Sequence, residues 1–563
     1  AGLGYQVSWT RMFSVGLGHE MPGLLAVITA FFAGLALGGL LCDRRVSRSA
    51  VPGRWYAVLE LIIGGWAILL AFAAPWLNEQ AALLIGPEPS PMRQWLVAFL
   101  LPLVALLPAT AAMGGTLPAI DRLAARLAGR GTTLAGVYAA NTLGAMLGIL
   151  LTAMVLIPAI GLRGTVLGLA GLNIACGLAM WLGPAADERS RPAVEHAFAD
   201  PPTRGRLAAA LAATGLLGLA YEVAGVRVIA QVLENTVYTY ALTVAVYLGG
   251  TAIGAAAWHR WGEHRRFTGP AGFLIGGLAL AVATGTMLML ATEPVHAAVR
   301  SALTGLIGRG PASLAGETAV AMMIFGPPTL LMGATFSHLV LAARRPEGGV
   351  GRAAAVNTLA AALAPALVGV LLIPTIGGRW TLALIALGYV ALLPLVAGGG
   401  VGGLRRAHLL LPGLAVLLAL VPIDLSLVRP PHGMRFMPGG VREGVMATVA
   451  VAQDDRGDRV LKVNNQFNMG GTRFSFGDRR QGHIPMLLHP DPRRVLLLGV
   501  GSGLTAGATT LHGDPEVTAV ELVPEVVGFL PAFDPANRLA DIDRVVVADA
   551  RRFVRADEAA YDV

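Results

Sequence analysis

The sequence predicts a polytopic α-helical membrane protein, built of two parallel six-helix repeats and a thirteenth helix, with a smaller α/β domain at its C-terminal end. Three observations carry this reading. Of the 563 residues, 55% are hydrophobic and only 13% charged, and the mean hydropathy is +0.65; soluble domains carry about twice that charged fraction. A pattern in the first half of the apolar region recurs 216 residues later. Beyond residue 440 the helical pattern gives way to short strand-like runs and a glycine-rich turn.

The repeat is read within one chain. Gly2-Leu-Gly-Tyr5-Gln6-Val7 followed by Arg11 matches Gly218-Leu-Ala-Tyr221-Glu222-Val223 followed by Arg227, and Gly34 and Gly38 match Gly250 and Gly254. Pro108, Thr110 and Met113-Gly114 match Pro327, Thr329 and Met332-Gly333 with a shift of three. Asn141-Thr142-Leu143 matches Asn357-Thr358-Leu359, and 158–163 matches 374–379. Each repeat holds six apolar segments of about the 20 residues a bilayer requires. They fall near 1–18, 22–42, 56–77, 95–117, 134–158 and 163–183, then near 207–231, 236–258, 270–292, 316–343, 352–374 and 378–398. Six is even, so the two repeats are expected to run parallel, as membrane repeats 1–200 and 201–400. Ala1 aligns with Leu217, inside the seventh segment, which predicts that the first helix begins upstream of Ala1.

Net charge is +8, and its basic part is arginine, Lys462 being the lone lysine. Arginines cluster in alternate loops, at 44–54, 122–130, 189–206, 260–266, 344–352 and 405–406. The positive-inside rule puts that set on the cytoplasmic side of the membrane. No basic stripe with interleaved aromatics suggests nucleic acid, so the expected partners are the lipid bilayer, a small-molecule substrate and partner subunits of a membrane complex. Cys42 and Cys176 form neither a disulfide framework nor a zinc site. The run 408–421 is short for a span. If it crosses as a thirteenth helix, the C-terminal domain faces outside the cytoplasm, which is the side favoured; residues 401–440 are read as that helix and a linker.

From Gly444 the period changes to that of strands. Val445, Ala447, Val449 and Val451 alternate, 454–458 reads as a turn and 459–463 as the return strand, a small antiparallel subdomain over 441–490. Val495 to Leu498 is a buried parallel-type strand running into Gly499-Val-Gly501-Ser502-Gly503, where glycines permit a sharp turn and the helix N-terminus beyond favours a negative group. A second strand ends in Glu521 and a third, 545–548, in Asp549. Three strands with their special residues at the carboxyl ends suit a nucleoside site in an open, Rossmann-like α/β sheet over 491–563.

Residues from about 460 onward resemble the spermidine synthase and S-adenosylmethionine methyltransferase superfamily. The whole chain resembles the bacterial fused major-facilitator/spermidine-synthase membrane proteins. His483-Ile-Pro-Met-Leu-Leu-His489-Pro-Asp-Pro, the glycine turn, Val520-Glu521, Asp549-Ala-Arg551 and Tyr561-Asp-Val563 carry the likeness. It implies a methyltransferase-type fold whose remaining strands lie beyond Val563, and an aminopropyl- or methyltransferase using S-adenosylmethionine or its decarboxylated form. By that resemblance Gly499, Gly501, Ser502 and Gly503 hold the amino-acid end of the cofactor, Glu521 the ribose, and Asp549 lies near the adenine. Departures matter. Ser502 stands where aminopropyltransferases have Asp, and Arg473 and Arg479 lie where a polyamine would want carboxylates, which disfavours a dication acceptor. His483 and His489 read as structural.

In the apolar region Tyr5, Arg11, Tyr221, Glu222 and Arg227 stand out. A charge in mid-helix costs about 2.5–3.5 kcal/mol on insertion scales, so an arginine in both repeats implies a requirement: an interfacial anchor, a pair with Glu222, or a transport role. Asn141 and Asn357 are expected as interhelical hydrogen-bond glue, and Gly34/Gly38 and Gly250/Gly254 as close-packing sites. The function expected is an adenosyl-sulfonium-dependent transferase held on a membrane domain. The alternatives are a transporter or exporter with a degenerate nucleotide-type domain, and a non-catalytic subunit of a membrane complex.

Overall fold

The computed structural model describes residues 1–127, 134–183, 204–234, 236–262, 270–343, 350–396 and 407–563. It is mostly helical, with a C-terminal sheet region. Among the described residues nine helices are long and apolar enough to cross a membrane, as a multi-pass membrane protein requires. The repeat boundaries at 200 and 400, and the arginines of 189–203, 263–269, 344–349 and 405–406, lie outside the described residues.

The first half runs α1 (Gly2–Leu17), α2 (Glu20–Ser47), α3 (Pro52–Ile85), α4 (Pro91–Leu127), α5 (Leu134–Leu151) and α6 (Ile157–Leu182). The second runs α7 (Arg204–Ile229), α8 (Val237–Ala257), α9 (Pro270–Leu288), α10 (Thr292–Ile307), α11 (Arg309–Ala343), α12 (Val350–Ala361) and α13 (Ile373–Ala391), then the short α14 (Leu393–Val396). α15 (Ala407–Leu420) comes next. Several helical stretches exceed the sequence reading, α4 among them, which runs to Leu127 past the expected end at 117. α3 continues to Ile85, beyond the expected end at 77, and α10 occupies residues left outside the segments.

Close packing sits where the paired glycines are. A Cβ at Gly34 would overlap Thr110 Oγ1, and one at Gly38 the Ala111 carbonyl; in the second half Gly250 meets Thr329 Oγ1 and Gly254 the Leu330 carbonyl. Thr110 and Thr329 donate back to the Leu106 and Phe325 carbonyls, both at 2.8 Å. Gly161 (φ 69°, ψ 175°) and Gly377 (φ 79°, ψ 162°) break the helical path inside α6 and α13. Thr165 and Thr381 bond to the carbonyls of those glycines, at 2.7 and 2.8 Å. Positive φ makes each kink a glycine position.

α15 runs alongside α9 in the same direction: Pro412 packs on Gly276 near one end, and Ala419 lies with Ala283, Thr286 and Met287 near the other. The chain then enters an antiparallel sheet of order β1-β2-β3-β4, made of β1 (Met434–Glu443), β2 (Thr448–Asp454), β3 (Arg459–Val463) and β4 (Phe467–Gly471). β1 thus begins inside the stretch read as linker. β2 is not the half-buried strand its alternation suggested: residues 448–452 are all buried. Phe529 and Phe533 pack with Val449 and Val451, while Ala452 packs with Met434 and Val460.

α16 (Ser475–Leu488) leads to β5 (Arg494–Leu498), α17 (Leu504–Thr509), β6 (Glu516–Glu521), α18 (Pro524–Val527), β7 (Arg544–Val547) and α19 (Ala550–Ala556). β5, β6 and β7 form a parallel sheet in that order. Leu496 N–H donates to the Val563 carbonyl at 2.9 Å, and Asp562 N–H to the Arg494 carbonyl at 2.8 Å, so the last residues lie along β5.

Candidate functional site

Parallel register places the ends of β5, β6 and β7 at one edge of the sheet, and the glycine turn, Glu521 and Asp549 are there together. Gly499, Gly501 and Gly503 have φ of 104°, 56° and 82°, a conformation that side-chain-bearing residues rarely adopt. The turn is closely backed, because a Cβ at Gly501 would stand 2.6 Å from the Met469 carbonyl.

The turn differs from the open anion cradle expected of it. Gly499 N–H donates to the Val520 carbonyl at 2.8 Å, Ser502 N–H to Met469 at 3.0 Å and Gly503 N–H to Val500 at 3.0 Å. Val500 and Gly501 N–H donate to Glu521 Oε2 at 3.0 and 3.3 Å, and Val523 N–H to Oε1 at 3.0 Å. Glu521 is 4% exposed. Three of the roughly four lone-pair sites of a carboxylate are occupied, which leaves one for a ligand hydroxyl. α17 has six residues, so its dipole is weak. Asp549 caps α19 through Oδ1, accepting from Arg552 N–H at 3.0 Å; its Oδ2 has Arg551 Nη2 at 3.6 Å.

The helical region reaches this edge. α1 ends at Gly18 (φ 90°), and a Cβ there would stand 2.8 Å from that of Asp549. Next comes His19, whose Nδ1 accepts the Met21 N–H at 3.0 Å and caps α2. Burial, reinforced by Arg227, holds the His19 imidazole down at about 4, against a raising influence of Asp549.

Arg227 is neither in mid-helix nor paired with Glu222. It lies in the last turn of α7, is 3% exposed, and donates through Nε and Nη2 to the Gly444 carbonyl at 3.1 and 2.8 Å and to Thr448 Oγ1 at 3.3 Å. The sequence shows an arginine in an apolar run but not that the helix ends two residues later under a strand connection. Its neighbours Glu443 and Glu525 are pushed up by burial, opposed by Arg227. More polar contacts weld the same seam: Gln231 bonds to the Leu425 carbonyl and Leu427 N–H, at 3.1 and 3.0 Å, Gly378 N–H donates to Glu443 at 2.8 Å, and Arg544 pairs with Glu88. The contacting helix ends are those opposite Arg44, Arg45 and Arg122.

Arg11 instead forms an ion pair with Glu20 at a cavity of about 50 Å³ lined also by Ser14, Met21, Ile229 and Tyr240. Tyr5 donates to Asn173 Oδ1 at 2.9 Å and Tyr221 to the Ile324 carbonyl at 3.1 Å. Glu222 is half-buried, while its counterpart Gln6 donates to Tyr240 at 3.2 Å. Asn357 does bridge helices, donating to the Leu211 carbonyl at 2.8 Å. Asn141 is exposed and has no hydrogen-bond partner among the described residues. Arg479 is tied to the Ala536 carbonyl at 3.1 Å. His483 Nδ1 lies 2.8 Å from His512 Nε2, a pair the sequence reading missed because His512 sits in no motif. No metal-ligand cluster occurs among the described residues.

No family model matches the chain. Over 90 residues it is 33% identical to the polyamine aminopropyltransferase of Desulforudis audaxviator (strain MP104C), covering 14% of this chain and 31% of that protein. The polyamine aminopropyltransferase of Streptococcus uberis is 36% identical over 88 residues, 14% of this chain and 30% of its own. That of Methanocaldococcus jannaschii is 34% identical over 86 residues, 14% of this chain and 29% of its own. The chain thus contains a region similar to polyamine aminopropyltransferases, and it spans just under a third of the length of these curated relatives.

Proposed function

We propose that this is an inner-membrane protein of two parallel six-helix repeats that carries a Rossmann-like, spermidine-synthase-like domain, and that the domain binds an adenosyl sulfonium donor, S-adenosylmethionine or its decarboxylated form, for transfer to a small acceptor. The observation that carries the function is the convergence of Gly499–Gly503, Glu521 and Asp549 on one edge of three adjacent parallel strands. The partial likeness to polyamine aminopropyltransferases supports it. Matching glycine packing and kinks in the two halves support the repeat. In-line attack on the donor carbon needs a held nucleophile and a dry site; an uncharged or anionic acceptor suits the arginines of 473–480 better than a polyamine.

The helix ends that carry Arg44, Arg45 and Arg122 lie opposite the domain, which by the positive-inside rule supports a domain outside the cytoplasm. Donor made inside would then have to be delivered. One observation favours a second reading, a transporter or non-catalytic subunit with a degenerate domain: the N–H groups from Gly499 to Gly503 are already bonded within the protein.

Calorimetric titration with S-adenosylmethionine, its decarboxylated form and 5′-methylthioadenosine tests the proposal. Saturable binding, weakened at least tenfold by Glu521→Ala and abolished by Gly501→Val, is the expected result. The tenfold figure comes from one charge-assisted hydrogen bond of about 1.5–3 kcal/mol. No binding of any of the three by folded protein refutes it.

A further inference from the structure

We propose that the corner between α1 and α2 is part of the sheet-edge site, and that His19 and Asp549 together read the edge of an adenine base. This rests on the reading of the domain as adenosyl-binding. The corner already touches that site: Gly18 stands so close to Asp549 that no side chain fits between them. Its φ of 90° fixes the turn that presents the next residue. His19 accepts the Met21 N–H at Nδ1, so the single proton of its neutral ring is on Nε2. Asp549 spends Oδ1 on the α19 cap and keeps lone pairs on Oδ2, where Arg551 stands off at 3.6 Å.

Asp549 lies near enough to act on the His19 ring, so the two side chains offer an acceptor and a donor from different ends of the chain. Adenine presents the complement, an amino donor at N6 beside an acceptor at N1. Hypoxanthine reverses both, with an oxygen at position 6 and an N–H at position 1. It would leave a carboxylate facing an oxygen and an N–H facing an N–H, and unpaired buried polar groups discriminate strongly. Asp549 alone would tell the bases apart by one contact; His19 adds the second and makes the site incomplete without the helical region.

The test is calorimetry of the full chain in detergent with 5′-methylthioadenosine and 5′-methylthioinosine. The wild type is expected to favour the adenosine compound at least tenfold. His19→Asn keeps an N-cap acceptor for Met21 but has no donor at the reach of Nε2; it should weaken 5′-methylthioadenosine about tenfold and cut the preference below threefold. His19→Gln restores an amide donor at similar reach and should recover most of the preference. A wild type that binds both compounds equally overturns the inference, as does an Asn variant with unchanged affinity and preference. A wild type that binds neither compound refutes the adenosyl reading itself, and the inference falls with it.

Discussion

Replacing Arg227 by alanine tests whether the helical region and the sheet region are one unit. The guanidinium is 3% exposed and makes three hydrogen bonds across the seam, two to Gly444 and one to Thr448. Glu443 and Glu525 stand within its field. Truncation leaves a buried carbonyl unpaired and two carboxylates without their shared cation. Removing one partner of a buried charged arrangement costs about 3–5 kcal/mol. Arg11 is its match in the sequence pattern, but its side chain is 34% exposed and its partner Glu20 47%, so Arg11→Ala should cost about 0–1 kcal/mol. Hydrogen exchange of the full chain in nanodiscs reads the difference at residues 444–450. Arg227→Ala should speed local exchange there by a factor of about 10² or more, while Arg11→Ala leaves it within about threefold. Equal effects of the two variants would refute the seam argument.

The same geometry sets other outcomes. Gly38→Ala and Gly254→Ala each drive a Cβ into a partner backbone carbonyl and should destabilise by about 1–3 kcal/mol, with similar losses of melting temperature; Gly65→Ala and Gly168→Ala, which meet open space, should not, and the contrast fails if all four melt alike. Reporter fusions after Arg406 and after Gly440 should report opposite compartments, with Arg406 cytoplasmic; the same compartment at both eliminates a thirteenth span. His19 has its folded value lowered to about 4, so the unfolded chain binds more protons between about 4 and 6.5. The neutral ring's contribution is whole above about pH 6.5 and is lost as pH falls through that window, up to about 3 kcal/mol. Glu443 and Glu525, raised by burial, have the opposite sign, so His19→Asn is compared with wild type in melts at pH 4.5 and 7.5. The variant should lose less stability on acidification, and an unchanged gap would count against a buried neutral ring.

Hydropathy reads spanning helices well because such a helix satisfies its own backbone and needs only an apolar surface. It failed at α10, where Glu293, His296 and Arg300 interrupt the apolar run and the helix packs against α11 instead of presenting a uniform surface. The strand ends Glu521 and Asp549 were legible because each acid directly follows a short apolar β run. Their present partners were not. Nothing in the sequence says that the Glu521 carboxylate holds Val500 and Gly501 N–H, since that depends on how tightly the turn folds back on β6.

The seam was the least legible part. Gly18 lies far from Asp549 in sequence, as Arg227 does from Gly444, and no periodicity or motif links them. Each residue alone has a sufficient local reason: Gly18 ends a helix in the left-handed conformation, His19 caps the next one, and Arg227 is a cation at a helix C-terminus, where the dipole favours it. Only docking gives them a second partner. A domain that merely hung from its last helix would need none of these contacts. A domain whose site is completed by the helices needs its edge held in register with the α1–α2 corner, and the seam holds it there through Arg227, Gln231 and Glu443. If so, loosening the seam at Arg227 should weaken adenosyl binding although Arg227 touches no part of the turn. A domain that works alone would bind its ligand unchanged.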